Sequence, residues 1–311
     1  MKLMLQIRIL TALLLIAPAA MAQDDLGAIF GKDSVRRDPV IATFKSTRII
    51  NAQSNETLAR GDLDFRVAHR FGDIGGANGG ASTFFGIDNS TDIRIAFEYG
   101  ITNRLTAGVS RAKGSGAFSQ LYEVLGKFKL LQQTMDNRVP LAVTLFGNAV
   151  VTSMKSNTDK EAVNYFDKFS SRMTYTAQAV IARKFGDRFS LALLPSYVHR
   201  NKVGYMDMND MFALGVGGRL RFSKRVALVV DYFVPFRDEA SKDYYKTQGI
   251  EFFNPLGVGV EIETGGHVFH LNFTNSTATL ENQFIPETTT SWLQGQFRWG
   301  FNISRRFSLG R

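Results

Sequence analysis

From Leu293 to Leu309 the chain alternates apolar and polar residues with a period of two. Leu293, Gly295, Phe297, Trp299, Phe301, Ile303, Arg305, Phe307 and Leu309 fall on one face of an extended strand. Trp292, Gln294, Gln296, Arg298, Gly300, Asn302, Ser304, Arg306 and Ser308 fall on the other. Successive side chains of a strand point to opposite sides, so this segment has one apolar face and one wet face. Such a strand near the C-terminus, paired with an export signal at the N-terminus, predicts an all-β chain that closes as an antiparallel barrel in an outer membrane.

The export signal is residues 1–22. Lys2 and Arg8 form the positive start, Ile9 to Ala17 the short apolar stretch, and Ala20-Met21-Ala22 a small-x-small cleavage site before Gln23. The apolar stretch is too short to span a bilayer as a helix. The chain has no cysteine, which excludes a lipoprotein thiol, disulfides and thiolate chemistry. Its formal charge is +9, and removal of the signal takes away two bases and no acid. The remaining bases are spread singly, with no basic block and no nucleic-acid motif, so a nucleic-acid partner is not expected.

No later stretch is apolar enough for a transmembrane helix, and mean hydropathy is close to zero. A barrel strand shows lipid only every second residue and therefore hides from such averages. Residues 23–60 are expected to form a periplasmic lead and possible lumen segment, and residues 61–311 the barrel. Alternating runs occur at Leu63–Val67, Ile93–Tyr99, Leu105–Val109, Tyr122–Leu130, Phe189–Leu193, Phe212–Phe222, Val226–Val234, Leu256–Ile262 and Phe269–Phe273, before the long last strand. Residues 140–153 and 172–185 read as strands whose faces are less distinct. The runs approach ten residues, the length of a tilted bilayer crossing, and exceed the five or six typical of a soluble sandwich.

The joints carry a second, independent pattern. Thr102-Asn103, Gly186-Asp187, Ser223-Lys224 and Gly265-Gly266 are tight turns. Longer polar links lie at 113–119, 154–171, 201–209, 237–254 and 277–290. Short periplasmic turns alternating with long outer loops are the pattern of an outer-membrane barrel. Counting from Leu63 gives about twelve strands, with fourteen as the alternative if Phe44–Gln53 also spans. An even count requires Phe44–Gln53 to sit in the lumen or the periplasm. Pro195 falls in mid-strand, where a bulge is expected. Arg305 interrupts the apolar face where its side chain reaches the headgroups. Tyr99, Tyr122, Tyr232 and Trp299 are candidates for aromatic girdles.

Several stretches resemble a family of bacterial outer-membrane β-barrel proteins defined as a domain of unknown function. They are Ser46-Thr47-Arg48-Ile49-Ile50-Asn51, His69-Arg70-Phe71-Gly72, Phe84-Phe85-Gly86-Ile87-Asp88 and Phe97-Glu98-Tyr99-Gly100-Ile101-Thr102. Further on come Ile181-Ala182-Arg183-Lys184-Phe185, Val198-His199-Arg200-Asn201, Ile262 to Phe269 with its Thr-Gly-Gly-His turn, and Gly300 to Arg305. The resemblance covers roughly 44–309. It implies the fold and the location, and it brings no assigned activity or functional residue.

The chemistry is concentrated on the inward face. Its acids are Asp62, Asp64, Asp92, Glu98, Glu123, Asp231, Glu261 and Glu263, and its bases Arg66, Arg70, Arg94, Lys127, Lys129, Arg219, Arg221 and Arg298. Such a face lines either a polar channel that filters solutes or an internal lattice of ion pairs that plugs the bore. Inward glycines at 215, 217, 257 and 259 leave room for water or for the N-terminal segment. His267 and His270 are three apart and point to opposite faces, so they cannot share a metal; no metal spacing or cofactor motif is present, and none is expected. Tyr205 to Met211 mixes metal-ligand types in an outer loop that is expected to be packed. Residues 237–254 and 277–290 are candidate partner surfaces. The expected function is a monomeric channel or binding barrel for small polar solutes. A plugged structural or partner-docking barrel is the second reading, and a lipid-acting enzyme built on His270 the third; enzyme chemistry is not expected. Outer-membrane lipid of a Gram-negative-type cell and, through the C-terminal strand, the barrel-assembly machinery are the expected partners.

Overall fold

The computed structural model describes residues 38–309; the export-signal expectation at 1–22, and residues 23–37, lie outside them. Twelve antiparallel strands close into a barrel: β1 (Asp62–Asp73), β2 (Ser90–Gly100), β3 (Leu105–Ala112), β4 (Leu121–Leu131), β5 (Ala142–Thr152), β6 (Met173–Phe185), β7 (Phe189–Arg200), β8 (Asp210–Arg221), β9 (Val226–Pro235), β10 (Leu256–Thr264), β11 (His267–Thr274) and β12 (Arg298–Ser308). Each pairs with its sequence neighbours, and β1 closes on β12 from Asp62↔Ser308 to Asp73↔Arg298. Closure leaves no unpaired edge. No helix among the described residues is long and apolar enough to cross a membrane.

Burial follows the period-two pattern. In β2 the inward Asp92, Arg94, Ala96 and Glu98 are at most 1 % exposed, whereas the outward Ile95 and Phe97 are 40 % and 46 % exposed. The outer wall is thus an apolar band. Tyr99 stands on it towards the short-turn end, and Tyr122, Tyr232 and Trp299 towards the long-loop end.

Three expectations need correction. The last strand begins at Arg298, not Leu293. Trp292–Gln294 form a 3-10 turn closed by Gly295 in the left-handed region at φ 72°, and Trp292 stacks on Phe297 at 4.5 Å. The alternation runs on through this turn by coincidence. Secondly, Pro195 makes no bulge. The β6–β7 register is the same on both sides of it, but the Ala179–Pro195 and Val180–Leu194 pairs drop out of the ladder. Proline has no N–H to give, so a bond is lost without a shift of register. Towards β8 the pairing through Pro195↔Leu214 is continuous. Thirdly, one short-end joint is long. Residues 132–141, between β4 and β5, receive the incoming chain through Pro39↔Thr134 and Val40 N–H→Gln133 O at 2.8 Å.

The interior is filled from both ends. Residues 39–60 enter from the short-turn end and fold into a hairpin, with a bridge between Arg48 and Gln53 and bonds from Ile49 N–H to Ala52 O (2.8 Å) and Ser54 N–H to Thr47 O (3.0 Å). The segment is a lumen filler and not a strand of the wall, so the barrel has twelve strands and not fourteen. From the long-loop end the β11–β12 link folds inward, and its short helix α2 (Glu281–Glu287) is buried over Glu281–Pro286. The other long-end helix, α1 (Glu239–Thr247), is mostly exposed.

Candidate functional site in the barrel lumen

The wall around the hairpin divides into two kinds of surface. On β6 to β9 the inward residues Val180, Leu194, Val198, Met211, Val229 and Phe233 are at most 1 % exposed and form one apolar cluster with Ile49, Ile50, Phe284 and Ile285 of the fillers. On β1 to β4 and β9 to β12 the inward residues are mostly charged or polar, and Arg219 of β8 joins them. The sequence reading found the charged half and missed the apolar one. β6 carries apolar residues on both faces, one for the outside and one for the fillers, and β7 does so from Leu194 to Val198 beyond its alternating start, so the pattern that marks a face is lost there.

The predicted charges take definite places. Asp62, Asp64, Arg66, Arg94, Glu98, Glu123, Lys127, Lys129, Arg219, Asp231, Glu261 and Arg298 all face inward and are at most 9 % exposed. Arg221 and Glu263 are on the same face but lie half-buried at the short-turn rim, so they are not enclosed. Some charges satisfy one another within the wall. Arg94 Nη2 meets Glu123 Oε2 at 2.6 Å, with Ser110 Oγ donating to the same oxygen and Asn148 Nδ2 to the other. Arg219 and His270 share Glu261 at 2.8 and 3.2 Å, and Arg298 holds Asp73 at 2.7 Å.

Other wall charges hold the hairpin instead. Asp231 Oδ2 accepts three consecutive backbone N–H groups, from Ile50 (3.1 Å), Asn51 (2.6 Å) and Ala52 (2.8 Å). Lys127 Nζ donates to Thr47 O at 2.9 Å and Ser54 O at 2.8 Å. Arg66 Nη2 donates to Thr47 Oγ1 at 2.8 Å as well as to Asp64 at 3.0 Å. Arg70 donates to Asn51 Oδ1 at 3.1 Å, and Asn302 Nδ2 to Ile50 O at 2.9 Å. Apart from the Asn302 bond, these have a charged partner, the stronger class of hydrogen bond in a protein interior.

Two glycines explain how the hairpin tip fits. A Cβ on Gly217 would stand 2.3 Å from Ile49 Cδ1, and one on Gly257 3.0 Å from Ile50 Cγ2. Of the four inward glycines read as room for water or for the N-terminal segment, Gly217 and Gly257 thus seat the two isoleucines, whereas a Cβ on Gly215 would meet Phe233 and one on Gly259 would meet Asn272. The hairpin then meets the other filler. Arg48 Nη2 reaches both oxygens of Glu281 of α2, Oε1 at 2.9 Å and Oε2 at 3.1 Å, both residues being at most 3 % exposed at the side chain, and Gln53 Nε2 donates to Oε1 at 2.9 Å. Burial pushes the Arg48 guanidinium below its ordinary value, and the Glu281 carboxylate opposes that shift. Residues 277–290, a candidate partner surface in the sequence, thus turn into the lumen.

At the short-turn mouth a cavity of about 330 Å³ remains, lined among others by Lys45, Glu56, Asp64, Glu263, His267 and Arg306. At the long-loop end Asp207 is taken by Arg200 and Arg237, and Arg200 also holds Glu287 at 3.0 Å. Within the mixed-ligand loop Asp207 is thus tied by ion pairs while Tyr205 and Met206 stand exposed, and no group of three or more metal-ligating side chains occurs among the described residues. His69 lies outward, stacked on Phe301 at 5.4 Å; His199 lies outward against Asp210 at 2.7 Å.

The chain matches the membrane bound beta barrel domain family (DUF5777) over residues 44–307, and it belongs to that family. No curated protein matches it. Among solved structures it is similar to the COG4313 outer membrane channel from Pseudomonas putida F1, at 12 % identity and a TM-score of 0.47 over 81 % of this chain and 98 % of that one. It is also similar to the KdgM porin, at 10 % identity and a TM-score of 0.45 over 79 % and 99 %. A third is the outer membrane protein Omp33 of Acinetobacter baumannii, at 10 % identity and a TM-score of 0.42 over 80 % and 99 %.

Proposed function

We propose that this membrane-bound β-barrel is an outer-membrane channel for small polar solutes, held shut by its own N-terminal hairpin and opened when the hairpin withdraws through the short-turn, periplasmic end. The observation that carries this reading is the charged wall behind the hairpin. Lys127 and Arg70 are each 1 % exposed, and among the described residues neither has an ion-pair partner; Lys127 rests on two hairpin carbonyls, and Arg70 is shared between Asn51 of the hairpin and His69 O and Asn302 Oδ1 of the wall. Each buried ion costs several kcal/mol of desolvation, and replacing buried ion pairs by apolar residues often stabilises a protein. A permanently solid interior gains nothing from such a wall. A bore that fills with water when the hairpin leaves does, because there the same groups are solvated and select solutes. The barrel is read as non-enzymatic: His270 is 2 % exposed and bound to Glu261, which makes it part of the wall.

Planar-bilayer recording on the full chain tests this. Wild type should be mostly silent. Ile49→Asp, which places an uncompensated charge against the apolar half, should produce open events. The chain has no cysteine, so Ile49→Cys with Gly217→Cys makes a single lock: oxidised protein stays shut and reduction permits opening. The buried Arg48–Glu281 pair, which ties the two fillers together, favours a second reading in which the barrel is sealed for good and serves as a docking element. Silence of Ile49→Asp, in protein that retains its heat-dependent gel shift, would select that second reading.

A further inference from the structure

Ile50 is held at both its own backbone N–H and its own carbonyl. Its N–H donates to Asp231 Oδ2 at 3.1 Å, and its carbonyl oxygen accepts from Asn302 Nδ2 at 2.9 Å, with Arg70 Nη2 at 3.5 Å. The N–H groups of Asn51 and Ala52 complete three donors on the one carboxylate oxygen. The Asn51 amide bridges the two sides, accepting from Arg70 at 3.1 Å and donating to Thr274 Oγ1 at 3.2 Å. Asp231, Arg70, Asn302 and Thr274 are at most 3 % exposed, and the Ile50 side chain, 1 % exposed, lies over Gly257.

A buried carboxylate and a buried guanidinium here face neutral peptide groups. A buried carboxylate whose one oxygen accepts three N–H groups is a site where a single ammonium, with its full charge, can stand in their place. Two donors converging on one oxygen are what a carboxylate receives from an arginine and an amide. The N and O of a single residue are spaced as the ammonium and carboxylate of a free α-amino acid. We propose that, once the hairpin has withdrawn, these groups bind a free α-amino acid with an aliphatic side chain: Asp231 takes the ammonium, Arg70 with Asn302 the carboxylate, and the space over Gly257 the side chain. The hairpin tip is then a built-in competitor for the solute. This inference rests on the channel reading above and names the solute class of the same lumen. Full charges on the ligand replace neutral dipoles at both ends, so each charged wall group gains the Coulombic attraction of an opposite charge that the hairpin's peptide groups do not supply. An ammonium alone or a carboxylate alone engages one end and forgoes the opposite-charge contact at the other.

The test uses the full chain in detergent with Ser54→Cys as reporter. Ser54 lies in the hairpin and is 0 % exposed, so a maleimide reaches the thiol only when the hairpin leaves; Ala52→Cys is a second reporter at the tip. Isoleucine should raise the labelling rate by about tenfold, the equivalent of one charge-assisted hydrogen bond. Its N-acetyl derivative, which lacks the ammonium, and its methyl ester, which lacks the carboxylate, should not. Asp231→Asn in the same background should raise the basal rate and abolish the response to isoleucine. Equal acceleration by the ester or the N-acetyl compound, or measurable labelling that ignores every solute, overturns the amino-acid site while leaving the mobile hairpin standing. No labelling by either reporter under any condition, Asp231→Asn included, overturns the channel reading and this site with it.

Discussion

On β9 the inward side chains Asp231 and Phe233 are two residues apart and hold different things by different forces. Asp231 grips three amides of the hairpin tip, while Phe233 packs edge-on against Phe284 of α2 with ring centroids 5.2 Å apart. The strand marks the border between the two halves of the inner wall. The charged half orients the hairpin by hydrogen bonds that water can replace. The apolar half holds α2 through contacts from β6, β7 and β9 that water cannot replace. Full burial of a large apolar side chain contributes about 1.5–3 kcal/mol, with no directional requirement. The hairpin also seats Ile49 and Ile50 in the apolar half, but more of its anchors are exchangeable bonds to charges, so it is the filler expected to leave.

The sharpest way to break this contrast is to truncate the two neighbours separately. Phe233→Ala should cost about 3–5 kcal/mol, the usual loss for an aromatic removed from a packed interior. It should lower the temperature of the heat-dependent gel shift of the whole barrel. Asp231→Ala should leave that temperature nearly unchanged but expose Ser54→Cys to maleimide, since it removes the acceptor of three hairpin amides and nothing from the wall ladder. If both variants lower the gel-shift temperature alike, the hairpin is as structural as α2 and the distinction between the halves fails.

The link between the fillers comes next in size. Arg48 and Glu281 form a pair buried on both sides. Removing one partner strands the other, at about 3–5 kcal/mol, whereas replacing both by apolar groups of similar volume is often neutral. Arg48→Met alone and Glu281→Leu alone should therefore each speed labelling of Ser54→Cys strongly, and the double substitution should recover most of the loss. Additive effects in that double-mutant cycle would show that the two fillers are not coupled.

Gly217 tests the fit within the apolar half. Gly217→Val adds a branched side chain where a Cβ alone comes within 2.3 Å of Ile49 Cδ1. Overpacking of this sort costs about 1–3 kcal/mol. The cost should fall on the hairpin and not on the wall, so reporter labelling rises while the gel-shift temperature holds. The compensating Ile49→Ala should restore slow labelling.

The outer surface of the barrel was legible in the sequence because each outward residue answers to one environment. Ile93, Ile95, Phe97 and Tyr99 face away from the lumen without exception, and the charged partners between them face in. The fillers were less legible. Glu281–Glu287 contains Pro286 and spans about two turns, too short to show a helical apolar stripe, so it reads as a polar link. Its acidic Glu281 points into the barrel because Arg48 is there to meet it, and no local pattern encodes a partner 233 positions away. The Arg48–Asn51 stretch carried a clue that composition alone does not resolve: two isoleucines beside an arginine, opposite glycines at inward positions of β8 and β10. The alternation at Leu293–Phe297 shows the reverse failure, in which a period-two pattern continues through a turn stabilised by Trp292 on Phe297.

The smallest expected effect is that of acid on the apolar side. Glu287 ends α2, accepts the Ala117 N–H at 3.1 Å and pairs with Arg200 at 3.0 Å; Asp207 and Arg237 also face this cluster. Burial pushes its carboxyl above the ordinary value, against the opposing pull of Arg200. A carboxyl whose folded value lies above its unfolded value binds its proton more tightly in the folded state, so its ionised form opposes docking. That penalty is present at neutral pH and fades as the pH falls through the raised value. Docking of α2 should therefore tighten slightly between neutrality and the upper edge of the carboxylate range. A cysteine placed at Ala278, 2 % exposed in the same link, reads it: Ala278→Cys should label more slowly as the pH falls, after correction for the thiolate fraction with a free thiol. Glu287→Gln should flatten the profile. Faster labelling on acidification would mean that the ion pair with Arg200 outweighs burial, and that the long-loop end, like the charged half of the lumen, is held by charge.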